Sequence, residues 1–281
     1  MMGENSKIEW TKHSFNPWIG CKKISEGCKN CYALRDSSKN DLAIFWEIDD
    51  RQKMKESYWR KPLKWNDKVK PGERDFVFCG SMCDICDPLG MKKFRYLINN
   101  LFELIKQTPN LFWVLLTKRP ERFKKTLPKD WGEGYDNVML MTTCENQKRT
   151  NERLPELLDN KSKYYGVSAE PLLEDIDFGE YLKYLNWVIV GGESGEKSRP
   201  LHPSSVYYIK DQCEEYSTPF FFKQWGECLH ESQLILDVHT PVDKHWKKYS
   251  FGNNELGYYM GKENSGCLLD GKEYNQLPVL S

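Results

Sequence analysis

No stretch of this chain comes near the roughly 20 consecutive apolar residues that a helix needs to span a bilayer, so no membrane partner is expected. Net charge is lacking as well. The 41 basic and 41 acidic residues cancel, which excludes a polycation built to coat nucleic acid and leaves any electrostatic surface to be local. A secretory-type segment is not apparent. Together with ten cysteines, several of them grouped as metal ligands are, this points to a reducing cytoplasm and away from a disulfide framework. An early GxGxxG fingerprint is also missing, which weakens a dinucleotide-binding doubly wound sheet.

What the chain does have is a loop with three cysteines, Cys21, Cys28 and Cys31, spaced C-x6-C-x2-C and punctuated by Gly20 and Gly27. A structural zinc site wants four ligands. A four-iron, four-sulfur cluster held by three thiolates keeps one iron open to a ligand that is not protein. An open iron is what S-adenosylmethionine needs in order to be cleaved reductively into a radical. Spacing alone leaves two readings: a zinc knuckle completed by a distant fourth ligand, or the cluster. Cys79, Cys83 and Cys86 form a second triplet, spaced C-x3-C-x2-C. It reads as a strand-buried Cys79 with two unrelated thiols, an auxiliary metal being the alternative. Cys228, His230, His239 and His245 are too irregularly spaced to argue a site.

From residue 74 onward the pattern is regular. Short apolar, β-rich runs fall at 75–79, 111–116, 138–143, 164–167, 187–190 and 220–222, with a first strand near 14–19. Between them lie segments of helical spacing at 92–106, 119–125, 147–158, 172–184 and 204–216. The alternation predicts an α/β fold, a (βα) TIM-like barrel, complete or partial, over residues 1–226. Residues 227–281, glycine-punctuated and polar, read as an irregular short-stranded extension packed on it. An open doubly wound sheet is the rival. Residues 29–58 read as mostly helical, with Ala33, Leu34, Leu42, Ile44, Phe45 and Ile48 facing inward. From Arg51 to Arg74 lysines and arginines interleave with Tyr58, Trp59 and Trp65, which fits either a phosphate-tracking, base-stacking surface or a solvated segment whose aromatics dock on the core.

Polar residues collect where each strand ends, the rim on which barrel enzymes keep their active sites. Gly80 and Ser81 follow the second strand. Lys118 and Arg119 follow the third and suit a carboxylate or phosphate of cofactor or substrate, or a salt bridge to a rim acid such as Glu145 or Glu170. Thr143, Glu145 and Asn146 follow the fourth. Glu170, ahead of Pro171, fits either a proton relay or a helix cap. Gly191, Gly192 and Glu193 fit either a close backbone approach to a ligand amine or a tight turn.

Several of these blocks carry a resemblance. Lys7-Ile-Glu-Trp-Thr11, Asn16-Pro17, Gly20-Cys21, Gly27-Cys28, Asn30-Cys31-Tyr-Ala33, Leu116-Thr-Lys-Arg-Pro-Glu-Arg122, Glu170-Pro-Leu-Leu173, Val188-Ile-Val-Gly-Gly-Glu-Ser-Gly195 and Phe222-Lys-Gln-Trp-Gly226 resemble a phage-associated family of unknown function. That family is related to radical SAM enzymes such as spore photoproduct lyase. The resemblance implies a [4Fe-4S] cluster on Cys21, Cys28 and Cys31, with S-adenosylmethionine on its fourth iron. It implies cofactor contacts at Gly80, Ser81, Thr143, Glu145, Asn146, Gly191, Gly192 and Glu193, and catalytic parts for Glu170, Lys118 and Arg119. A low-potential electron donor, flavodoxin or ferredoxin, would be required. The substrate expected from these relatives and from the basic segment is a nucleic-acid base or nucleotide, modified or repaired. The alternative is a zinc-stabilised, non-catalytic nucleic-acid-binding protein.

Overall fold

The computed structural model describes residues 3–38, 42–48, 50–234 and 245–280. The strands in chain order are β1 (Gly3–Glu4), β2 (His13–Phe15), β3 (Trp18–Ile19), β4 (Gln52–Lys53), β5 (Asp75–Cys79), β6 (Leu111–Thr117), β7 (Val138–Thr143), β8 (Tyr164–Ala169), β9 (Trp187–Gly191), β10 (Phe220–Gln224), β11 (Cys228–His230), β12 (Lys247–Gly252) and β13 (Glu255–Tyr259). The main sheet has the order β1-β2-β5-β6-β7-β8-β9-β10. Its seven strands from β2 onward are parallel, and the short β1 pairs antiparallel with β2 at one edge. The order is linear, β1 at one end and β10 at the other, so the expectation of a TIM-like barrel holds in its partial form.

The parallel strands read as continuous apolar runs because both of their faces are covered. Val77, Phe78, Leu111 to Leu115 and Val138 to Met141 are all buried. Helix 95–106 turns Leu97, Ile98, Leu101, Phe102, Leu104 and Ile105 inward, the stripe expected of a helix lying on a sheet. The described residues form two compact units, Met1–Thr143 with Glu152–Gly166, and Cys144–Asn151 with Val167–Ser281. In the second unit β11, β13 and β12 make a separate antiparallel sheet. Among the described residues no helix is long and apolar enough to cross a membrane.

Three expectations need correction. Residues 29–58 are not one helical run: among the described residues helices cover 32–38, 44–47 and 56–59, and β4 pairs with β3 between them. Ile44 and Ile48 are exposed rather than inward, and residues 39–41 and 49 lie outside the described residues. Residues 172–184 carry only a 3-10 turn at 179–184. The Leu172 and Leu173 N–H groups bond instead to the carbonyls of Gly191 and Glu145, at strand ends rather than within a helix. In the basic segment, by contrast, one of the two expected readings holds: the aromatics dock on the core. Trp65 stacks on His13 at 4.4 Å, and the Tyr58 hydroxyl, buried, donates to Ser14 O and accepts from Asn16 N. Lys61, Lys64 and Lys68 stay exposed, and Lys61 Nζ lies over the ring of the buried Tyr58, 5.5 Å from its centre.

His13 is buried against Trp65, with neither ring nitrogen hydrogen-bonded. Burial holds its pKa below the ordinary 6.5, against the pull of the Asp75 carboxylate 3.5 Å away. The unfolded chain therefore takes up this proton first as pH falls. The contribution to stability is full above about pH 6.5 and is lost as pH drops through that value toward the folded pKa. His13→Phe should flatten the decline in urea-unfolding free energy between neutral pH and pH 5 by up to about 1.4 kcal/mol per pH unit. An unchanged slope would mean that the ring takes up its proton at the same pH in the folded and the unfolded chain.

Candidate functional site

The cysteine loop follows β3 and belongs to the first unit. Gly20 starts it at φ +108°, and a Cβ there would lie 2.5 Å from Phe45 O and 2.9 Å from Arg51 Cδ, so only glycine fits. Cys28 closes a 3-10 turn at 26–28, and Cys31 stands just ahead of helix 32–38. All three thiols are partly buried. Among the described residues, the set of three metal-type ligand atoms lying within 4.8 Å of one another is elsewhere, on His202, His230 and Glu255.

What holds the loop is a buried ion network at the ends of β5 and β6. Asp84 accepts four hydrogen bonds, from Thr117 Oγ1 at 2.7 Å, Cys86 N at 2.8 Å, Lys118 N at 3.2 Å and Arg119 Nη1 at 2.8 Å. Arg119 Nη2 lies 3.7 Å from Asp87 Oδ1, whose other oxygen receives Arg51 Nε at 2.8 Å. Two cations and two anions thus alternate in space and cancel. From this position Arg119 reaches the loop, donating to Lys22 O at 2.6 Å and, at 3.6 Å, to the Cys21 sulfur. Its anionic partners are therefore Asp84 and Asp87, not the expected Glu145 or Glu170. Arg51, expected on a nucleic-acid surface, is buried in the same network.

The Cys21 and Cys28 thiols are tuned in opposite directions. Burial pushes the Cys21 thiol up to about 12, with Asp84 adding to the shift and Arg119 opposing it. Burial also raises Cys28, but the Lys118 charge, backbone N–H groups and the Ser25 hydroxyl outweigh it and leave its pKa below the ordinary value. Lys118 Nζ itself donates to Thr143 Oγ1 at 3.2 Å.

Behind the loop, Asn16 fixes the turn after β5. Its Nδ2 donates to Ser81 Oγ at 2.9 Å, and its Oδ1 accepts from Met82 N at 2.7 Å. Ser81 O accepts from the Tyr32 hydroxyl, which ties this turn to the residue after Cys31. Gly80 bonds back to Phe15 O. The second cysteine triplet is buried. Cys83 points at Asn16 Oδ1 and Cys86 at Thr126 Oγ1, and burial raises all three thiols, so they sit there neutral.

The remaining predicted residues lie mostly in the second unit. Asn146 caps helix 147–158, its Oδ1 accepting from Arg149 N at 2.9 Å. Glu145 is fully buried. Glu170 follows β8 and caps no helix; it pairs with Lys223 at 2.7 Å and accepts from Ser168 Oγ at 3.2 Å. Glu193 is gripped by Arg199, whose Nε, Nη2 and backbone N–H all donate to its carboxylate. That carboxylate is held by the protein itself. Gly192 is likewise explained by packing, since a Cβ there would lie 1.9 Å from Trp225 O, and one on Gly191 would lie 2.8 Å from Glu170 Oε1. Sequence reasoning missed Asn16 and Asp87 as site-forming residues. Asp87-Pro88 carried a readable signal, a helix cap followed by proline at the first turn, and the cap is there.

The family described as "Protein of unknown function (DUF5131)" matches residues 5–278. The chain belongs to this family. No curated protein sequence matches it. Among solved structures, a cysteine-to-alanine mutant of spore photoproduct lyase with dinucleoside spore photoproduct is similar at 12% identity, over 93% of this chain and 72% of that one, with a TM-score of 0.50. A tyrosine-to-phenylalanine mutant of the same lyase matches at 10% identity, over 94% and 74% of the two chains, with a TM-score of 0.46. At such identity the likeness is one of fold.

Two outcomes follow from this geometry. Asp84→Ala leaves Arg119 buried without its nearest counter-charge and should lower the unfolding free energy by about 3–5 kcal/mol while speeding alkylation of Cys21. A loss within the range of an exposed pair would show that water reaches the network. Gly192→Ala should destabilise by about 1–3 kcal/mol in chemical denaturation with no ligand added. Stability equal to that of the natural chain would return Gly192 to the role of a ligand-approach site.

Proposed function

We propose that this protein is a radical S-adenosylmethionine enzyme in which Cys21, Cys28 and Cys31 hold a [4Fe-4S] cluster. The observation that carries the reading is a loop with three thiols and two cations set against it, Arg119 at Cys21 and Lys118 lowering Cys28. Positive charge of this kind offsets the negative charge that thiolates and sulfides bring to an iron–sulfur site. The similarity of fold to spore photoproduct lyase supports this choice.

Bound there, the cluster and S-adenosylmethionine would supply a reductively generated 5′-deoxyadenosyl radical for hydrogen abstraction. The protein's own part is positioning. Asp84 and Asp87 fix Arg119, and Arg119 fixes the Lys22 carbonyl and Cys21. Asn16 and Tyr32 hold the Gly80–Ser81 turn, which we assign to the cofactor's amine in place of Glu193. Lys118 and Thr143 form a polar pair at the ends of β6 and β7, suited to a carboxylate or ribose hydroxyl. In the second unit Glu170, with Lys223 and Ser168 on it, is the proton-handling candidate, and buried Glu145 stands with it in the proposed set. A flavodoxin or ferredoxin would deliver the electron.

For the substrate we infer a nucleic-acid base or nucleotide, because the similar lyase structure carries a dinucleoside photoproduct. Exposed Lys61, Lys64 and Lys68 offer phosphate contacts without base stacking, so the contribution expected of them is electrostatic.

Anaerobic reconstitution should load about four irons per chain, and Cys21→Ala, Cys28→Ala and Cys31→Ala should each abolish that loading. After reduction the loaded protein should release 5′-deoxyadenosine from S-adenosylmethionine. Colourless protein that keeps zinc through the same treatment would instead support the zinc-stabilised nucleic-acid-binding reading. Neutralising the three lysines should weaken DNA binding and reduce its salt dependence; no change would move the substrate to small molecules.

A further inference from the structure

The second unit carries a ligand set that the proposed chemistry does not use. His202 precedes helix 203–215, His230 ends β11 and Glu255 opens β13. One nitrogen from each ring and one carboxylate oxygen lie within 4.8 Å of one another. The two histidines are built alike. Each caps a short or long helical segment, and each is followed two residues later by a serine. His202 Nδ1 is 2.7 Å from Ser204 Oγ, and His230 Nδ1 is 2.8 Å from Ser232 Oγ. The serine backbone N–H also reaches Nδ1, at 3.2 and 3.1 Å. Nδ1 is therefore occupied in both rings, and Nε2 is the nitrogen each has to offer. His202 Nε2 faces Glu255 Oε2 at 3.2 Å. His230 Nε2 is buried and has no hydrogen-bond partner, on a residue only 5% exposed. A buried polar atom without a partner calls for an explanation. An ion pair between His202 and Glu255 accounts for two of the three groups and leaves this one unanswered.

We propose that His202 Nε2, His230 Nε2 and the Glu255 carboxylate bind a divalent transition-metal ion of the zinc type. Two imidazoles and one carboxylate are a recurrent donor set for such ions. Metal–ligand bonds of about 2.0–2.2 Å in a tetrahedron separate the donors by about 3.4 Å, close to the His202–Glu255 distance and a small contraction of the whole set. The serines complete the arrangement. Binding at Nε2 moves the ring proton to Nδ1; there each serine hydroxyl accepts it, the backbone N–H bond to Nδ1 being given up in exchange, and this is the outer contact that metal-bound histidines usually have. Phe251 packs against both rings, 5.1 Å from each, and walls one side. Glu255 and His202 are partly exposed, so the fourth position is open to water. The ion would pin β11 and β13 to the start of helix 203–215, three segments distant in sequence.

The test uses the full chain carrying Cys21→Ser, Cys28→Ser and Cys31→Ser, so that the thiol loop does not compete. After removal of metal with a chelator it is titrated with zinc, and with cobalt(II) as a spectroscopic probe. The expected result is one zinc per chain, a raised thermal midpoint, and a cobalt spectrum of nitrogen and oxygen ligands lacking sulfur charge-transfer bands. Ser204→Ala and Ser232→Ala, which spare the ligands, should each weaken zinc binding about 10–100-fold, and Glu255→Gln and His230→Gln should weaken it further. If the serine-substituted chain does not fold, the natural chain serves. There Glu255→Gln should lower zinc stoichiometry by one. Zinc binding that Glu255→Gln leaves unchanged, or no zinc bound by the serine-substituted chain, overturns the proposal. Neither result depends on whether the cysteine loop holds a cluster.

Discussion

Two arginines and two aspartates, almost wholly withdrawn from water, set the shape of the cysteine loop. A buried charge is costly unless it is paired and hydrogen-bonded, and here each one is. Asp84 takes four donors from three consecutive residues at the end of β6 and from its own turn. The result is a fixed guanidinium whose outer edge faces the loop backbone and the Cys21 sulfur. The position of the loop thus follows from electrostatics in a dry site more than from the loop's own sequence. A network of this kind adds little net stability over an apolar core, but it specifies one arrangement.

The second unit uses the same physics for another end. Arg199 closes on Glu193 with a forked pair, and the space left by Gly192 is taken by the Trp225 carbonyl. Both features resemble ligand-binding devices when read as letters, because close backbone approach and a poised carboxylate look alike whether the partner is a cofactor or the protein itself. Only the identity of the neighbouring atoms separates the two cases. The paired His-x-Ser caps make the complementary point. His202 and His230 lie 28 residues apart in the chain; the register of β11 with β13 brings His230 to Glu255, and the start of helix 203–215 adds His202.

From β5 to β10 the strand positions were legible to within a residue or two, since parallel strands covered on both faces must be unbroken apolar runs; the first strand expected near 14–19 is instead two, β2 in the main sheet and β3 paired with β4. The helix at 147–158 was legible as well, from its apolar spacing. Segment 29–58 was not. Its apolar residues have helical spacing, but Arg51 is drawn into the core by Asp87, and the chain around it pairs as β4 with β3 instead of coiling. Segment 172–184 failed for a related reason, because the N–H groups of Leu172 and Leu173 bond outside the segment. Local spacing cannot register a hydrogen-bond partner that lies far along the chain.

By itself the sequence determined the α/β class, the order of strands and helices, and a loop offering three thiols, since periodicity and ligand spacing are local properties. Tertiary structure decided which charges are partners. Arg119 serves Asp84 and the loop, Glu193 serves Arg199, and the aromatics of the basic segment serve the core. The reason is that pairing energy depends on distance and burial, and both are set by contacts between residues far apart in the chain.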